Sequence, residues 1–130
     1  MAFTDLRWGQ VLVGGVSAEL AVFAIIFPML HFFGQTAFLA SILAASLAMP
    51  FLFALWVCRR VESHFALHGL LVGVVAALMY LIIARGQPEP LLYKIAHGLK
   101  LLGGLLGGVV AALRAGDHSI MQSKSSRGRN

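Results

Sequence analysis

Two ionisable residues lie deep inside apolar stretches. Glu19 is the central residue of the run Trp8 to Leu30, and Lys100 lies close to the middle of the run Leu91 to Leu113. If both runs cross a bilayer as helices, the two charges stand at one depth to within about 3 Å. An isolated charge there costs at least about 2.5–3.5 kcal/mol on insertion scales. The pair is therefore expected to meet inside a bundle, directly or through Ser17, Ser41 or a water. Such a pair can act as a static bridge that fixes which helices are neighbours, or as a station for a proton or ion. The sequence favours the static role. Glu19 is the only carboxylate within the apolar runs, and a relay needs a succession of titratable groups.

The histidines supply ligand nitrogens without completing a site. His64 and His68 stand four apart on one helical face, a spacing that can present two imidazoles to one metal. Cys58 and Glu62 are close in sequence, but nothing sets three or four ligands in one geometry. No metal or other cofactor is assigned, and the two read as interfacial histidines at a helix start. A bis-histidine haem from His68 and His97 fails on depth. The two residues lie about 10 Å and 7 Å to opposite sides of their spans' centres. Lys94, His97 and Lys100 step by three along the first half of the last run. With His31 they could line a polar notch that attracts an anion or a lipid headgroup. The simpler reading has Lys94 snorkelling to the interface and His97 hydrogen-bonded to a neighbour.

The elements that must position these residues follow from glycine spacing. Gly103/Gly107 and Gly104/Gly108 form two interleaved Gly-x-x-x-Gly pairs just after Lys100. At helical periodicity all five share one side with Ala111. Glycines there admit another backbone, and the ammonium needs a partner out of lipid. Gly69 and Gly73 make a similar pair in the third run. Ala40, Ala44 and Ala48, and beside them Ala37, Ser41 and Ala45, make a flat ridge on the second. Glu19 shares its face with Gly15, Phe23 and Ile26. The first and last helices are therefore expected to approach closely along Gly15 and Gly103/Gly104.

The composition agrees with this arrangement. The 130 residues are 59% hydrophobic and 12% charged, with a mean hydropathy of +0.87. A soluble domain of this size needs more charge to cover its surface. Four runs are long enough to span a bilayer, at about 8–30, 36–57, 65–84 and 91–113. Gln87-Pro-Glu-Pro90 breaks helix between the third and fourth. Pro50 is expected to bend the second or to sit against a neighbour that satisfies the freed carbonyl. Residues 114–130 lack apolar periodicity and read as a disordered basic tail. The opening residues are not expected to be a cleaved signal, because the apolar run is too long and carries Glu19.

The fold expected is an all-α integral membrane protein, a bundle of four transmembrane helices with up-down topology. Arg7, Arg59, Arg60, Arg114, Lys124, Arg127 and Arg129 fall on one side and Arg85 and Lys94 on the other, which puts both termini in the cytoplasm. A bacterial cytoplasmic membrane is the expected location.

The net charge of +5 flanks the runs, so nucleic acid is not an expected partner. The single cysteine, Cys58, excludes an internal disulfide. GGLLGG is no phosphate loop, since no Lys-Ser/Thr follows, and no catalytic triad or zinc-protease motif is present. The chain is not expected to be an enzyme. Its small-residue ridges point first to a protein that works by helix packing, as an accessory subunit, assembly factor or homo-oligomer, with lipid and membrane subunits as partners. The alternative is a proton- or ion-linked transporter or channel using Glu19, His97 and Lys100. A metal or pigment carrier through the histidines ranks last.

Overall fold

The computed structural model describes residues 5–128. Met1–Thr4, Arg129 and Asn130 lie outside them, so Arg129's place in the charge count and the opening of the chain are not described. Four helices follow in order: α1 (Trp8–Phe33), α2 (Gln35–Cys58), α3 (Phe65–Ala84) and α4 (Leu91–Arg127). All four are long and apolar enough to cross a membrane.

The joints follow from local chemistry. α1 and α2 are separated by Gly34 alone, at φ 86°, where a side chain would be strained. α3 ends on two left-handed residues, Arg85 and Gly86. Pro88 and Pro90 then keep Gln87 and Glu89 out of helix until Leu91 starts α4. His64, at φ 54°, is left-handed without being glycine. Such a conformation costs on the order of 1–3 kcal/mol. It is offset by the His64 carbonyl, which accepts the backbone N–H of His68 at 3.0 Å and lies 2.9 Å from His68 Nδ1.

One element departs from expectation. Residues 114–127 continue α4 as helix rather than forming a disordered tail, and the helix does not end at Leu113. Once the apolar part of α4 is packed, its helix is nucleated. Each further residue then adds a hydrogen bond without the initiation penalty, and no proline intervenes before Arg127. Lys124 and Arg127 in the last turn complement the carbonyl end of the dipole.

The glycines set the packing. A Cβ at Gly104 would run into the Gly69 carbonyl, and one at Gly69 into the Gly104 carbonyl. Gly73 meets the Lys100 carbonyl and Gly108 that of Phe65. The falling register (69 with 104–108, 73 with 100–104) makes α3 and α4 antiparallel. The second seam faces the other way, with Gly103 against the Leu47 carbonyl and Gly107 against that of Phe51. α4 is thus clamped between α2 and α3. In each contact the hydrogen in place of a Cβ points at a carbonyl oxygen, the geometry of a weak Cα–H···O bond. Pro50, which lies between Leu47 and Phe51 in sequence, is buried, and α2 continues through it.

Two apolar clusters fill the interior. Val22, Ile26, Ile42, Ala45 and Ala96 pack at the end bearing the α3–α4 connection. Ala54, Val57 and Val72 pack toward the end where α1 begins and α2 ends.

Candidate functional site

The polar centre lies beside the first cluster. Lys100 Nζ donates a hydrogen bond to Glu19 Oε1 at 2.9 Å and stands 2.8 Å from Oε2. The second contact is an ion-pair contact at angles that leave Oε2 without a hydrogen bond. Glu19 is 0% exposed and Lys100 2%. The contact is direct, with Ser41 turned away to the Phe38 carbonyl.

The helices carrying the pair are not neighbours. No Cα of α1 comes within 8 Å of a Cα of α4. The expected close approach along Gly15 and Gly103/Gly104 is therefore incorrect. Gly15 packs on Val72 and Val75 of α3, while Gly103 packs on α2 and Gly104 on α3. The lysine side chain, not the backbone, spans the bundle's diagonal. Glycine seams predict that a backbone comes close; they do not say whose.

Tyr80 of α3 organises the next layer. Its ring lies 4.9 Å from Lys100 Nζ and 4.9 Å from the His97 ring, and stacks on Tyr93 at 5.7 Å. An ammonium over an aromatic face at this range gains about 0.5–2 kcal/mol. His97 Nε2 stands 3.2 Å from Glu89 Oε2 in the α3–α4 connection, with both side chains nearly buried. Glu19, Lys100, Tyr80, His97 and Glu89 therefore succeed one another from the bundle's centre to its end.

A cavity of about 10 Å³ lies within this array, lined by Glu19, Ser46, Tyr80, Tyr93, His97 and Lys100 among others. That is close to the room one water needs. Three buried side-chain atoms lack a hydrogen-bond partner among the described residues: Glu19 Oε2, Ser46 Oγ and His97 Nδ1. All three belong to residues lining this one cavity. Oε2 still has the Lys100 ammonium at 2.8 Å, whereas a buried polar atom left wholly unpaired, as Ser46 Oγ and His97 Nδ1 are, costs about 1–3 kcal/mol, so the convergence of those two is not what packing alone would select.

The remaining candidates fall elsewhere. Lys94 is exposed and takes no part in the array. His31 is exposed at the end of α1, edge-on to Phe32, and does not meet His97. The expected notch of Lys94, His97 and His31 is thus replaced by His97 with Glu89 and Tyr80.

His64 and His68 do not present two imidazoles to a common point. His68 is buried, with Nδ1 on the His64 carbonyl at 2.9 Å and Nε2 accepting the Arg7 N–H at 3.3 Å. An N–H donor on Nδ1 and an acceptor at Nε2 is the neutral ring, with both nitrogens occupied. Among the described residues no group of three or more His, Cys, Asp and Glu is placed to hold a metal. Cys58 is buried, its Sγ 3.4 Å from the Phe65 carbonyl.

Sequence reasoning passed over Tyr80, Ser46 and Glu89. Tyr80 reads as an interfacial aromatic. Glu89 reads as part of a proline turn, although it lies two helical turns before His97. Ser46 has one visible signal, its place four residues before Pro50.

No family model, curated protein or solved structure matches the chain.

Proposed function

We propose that this chain is a multi-pass membrane protein of up-down topology with both termini cytoplasmic, and that it handles protons. In this reading it is a small proton-linked transporter or channel, in a bacterial cytoplasmic membrane, whose central station is the Glu19–Lys100 pair. One observation carries it: Ser46 Oγ and His97 Nδ1 are buried without a hydrogen-bond partner among the described residues, and both residues line one cavity with the ion-paired Glu19. A static bridge has no use for two further orphaned polar groups at its side.

The chemistry follows from the two nitrogens of His97. Nε2 faces Glu89 at the end of the bundle, and Nδ1 is buried and without a hydrogen-bond partner among the described residues, in a residue that lines the cavity. A proton taken on at Nε2 with loss of the one on Nδ1 moves inward without the ring having to turn, the usual shuttle of an imidazole. It passes by way of the cavity to Glu19 Oε2, forming a carboxylic O–H. Lys100 keeps its proton, and the Tyr80 ring holds the ammonium while its carboxylate partner is neutral. Toward the termini the way is closed by Val11, Ala18, Ala54, Val57 and Val72, all buried. The path is a half-channel in this conformation, and transport across requires the apolar end to open.

The test is pH-difference infrared spectroscopy on the protein in bilayers. A carboxylic-acid carbonyl band that titrates in the wild type and vanishes in Glu19→Gln is expected. A band unchanged by that substitution, together with equal proton flux in proteoliposomes of the two forms, would remove the proposal.

The packing role keeps one specific support. Gly69 and Gly73 of α3 and Gly103, Gly104, Gly107 and Gly108 of α4 are spent within the chain, but Ala40, Ala44 and Ala48 of α2 are all exposed. A homo-oligomer would use that ridge. Crosslinking between copies of Ala44→Cys in bilayers tests it, and a strictly monomeric product counts against it.

A further inference from the structure

At the opposite end of the bundle, a groove of about 400 Å³ opens between the α2–α3 connection and the start of the α4 extension. We infer that it binds the phosphate of an anionic phospholipid. The inference needs only that the chain sits in a bilayer, and is independent of proton handling.

The groove's charge is of one sign. Arg59, Arg114 and His118 line it, with no acidic residue among them. Arg114 and His118 stand one turn apart on α4, so both side chains project to the same side. Neither Arg59 nor Arg114 has an ion-pair partner among the described residues. Asp117 and Glu62 are near in sequence but do not line the groove. α3 begins at Phe65, in the same wall, with no side-chain cap on its first N–H groups. That helix start adds a fixed partial positive charge. A guanidinium pair with such a helix start suits a phosphate, which Arg can bind through two parallel N–H donors.

The other walls are apolar: Leu55, Val61, Phe65 and Ala111. A free phosphate gains nothing from them, whereas the glycerol and upper acyl chain of a lipid do. The level is that of a headgroup. α2 ends at Cys58, and the apolar part of α4 gives way to Arg114 one residue after Leu113. Arg60 lies over the Trp56 ring at 4.3 Å, the placing of an aromatic at a membrane–water boundary. The extension of α4 thereby acquires a purpose, since without helix beyond Leu113 neither Arg114 nor His118 would be held over the groove.

The experiment is native mass spectrometry of the full chain released from detergent. The probes are phosphatidylglycerol, phosphatidylcholine with the same acyl chains, and inorganic phosphate. Wild type is expected to retain one phosphatidylglycerol in preference to phosphatidylcholine. Arg59→Gln/Arg114→Gln should weaken that retention about thirtyfold, each basic residue near an anionic surface contributing roughly fivefold. Arg85→Gln/Lys94→Gln, at the other end, should retain it as wild type does. Arg59→Lys/Arg114→Lys should keep most of the retention, which shows that loss in the glutamine variant is loss of charge and not of fold. Equal retention by the glutamine variant would overturn the inference. So would an equal loss in the Arg85/Lys94 variant, which would indicate unspecific charge attraction. Displacement of the lipid by an equal concentration of inorganic phosphate would assign the groove to a soluble anion instead.

Discussion

Lys100 reaches Glu19 across the diagonal of the bundle, between helices whose Cα atoms nowhere come within 8 Å of each other. Two consequences follow. The bridge does not hold a close backbone interface together, because α1 and α4 have none. It joins the two helices that the glycine seams leave separate, so α1 is tied to α4 through side chains, those of the polar centre and of the cluster holding Val22, Ile26 and Ala96, and through the helices between.

Breaking that bridge on one side should leave an uncompensated buried charge. Glu19→Gln and Lys100→Met are each expected to lower stability by about 3–5 kcal/mol. The double variant should lose clearly less than the sum. Unfolding in detergent by a denaturant series gives the cycle. Additive losses would mean that the two charges do not depend on each other.

Gly104→Ala should be among the most damaging single-methyl changes in the chain. Its Cβ would meet backbone, the Gly69 carbonyl and the Gly73 amide nitrogen, and backbone cannot rotate away. A loss of about 1–3 kcal/mol is expected. Gly116→Ala adds the same methyl where nothing lies within 4 Å. It should instead stabilise the α4 extension locally, by about 1 kcal/mol. Thermal unfolding of the pair, with helix content by circular dichroism, separates the two outcomes.

His97→Phe and Glu89→Gln should each slow proton exchange at Glu19 while leaving the folded bundle intact. Neither residue bonds to Glu19 directly, so the effect falls on rate. A slowing of roughly a hundredfold or more is expected if His97 transfers the proton, read as the rise time of the Glu19 carboxylic band after a pH jump. Unchanged kinetics in both variants would show that protons reach Glu19 by another route.

His68→Ala should cost about 1–3 kcal/mol by leaving the Arg7 N–H without its acceptor. Hydrogen exchange at the Arg7 amide is the local readout and should lose its protection. Added zinc or nickel should not restore stability to the wild type or the variant, because both ring nitrogens are already used.

The sequence by itself determined the helices and the depth of the charges. Helix count and most boundaries are local properties: runs of some 20 apolar residues, a glycine at 34, prolines at 88 and 90. That Glu19 and Lys100 share a level is a matter of counting residues at a fixed rise. The end of α4 escaped, because polar composition marks where membrane stops and does not mark where a helix already nucleated stops.

Only the tertiary structure decided who meets whom. Periodicity sets the direction of a side chain about its own helix axis. The rotation of that axis against its neighbours is set by all four helices at once. The two seams of α4 could each have received α1, α2 or α3, and they received α2 and α3. That choice left Lys100 pointing along the diagonal, brought Tyr80 beneath its ammonium, and turned Ser46 toward the same cavity. Glu89, placed by a proline turn that sequence reads as mere connection, joined His97 because the antiparallel return of α4 carries His97 back beneath that turn. Each of these contacts depends on two elements fixed against each other, and no single stretch of the chain contains them.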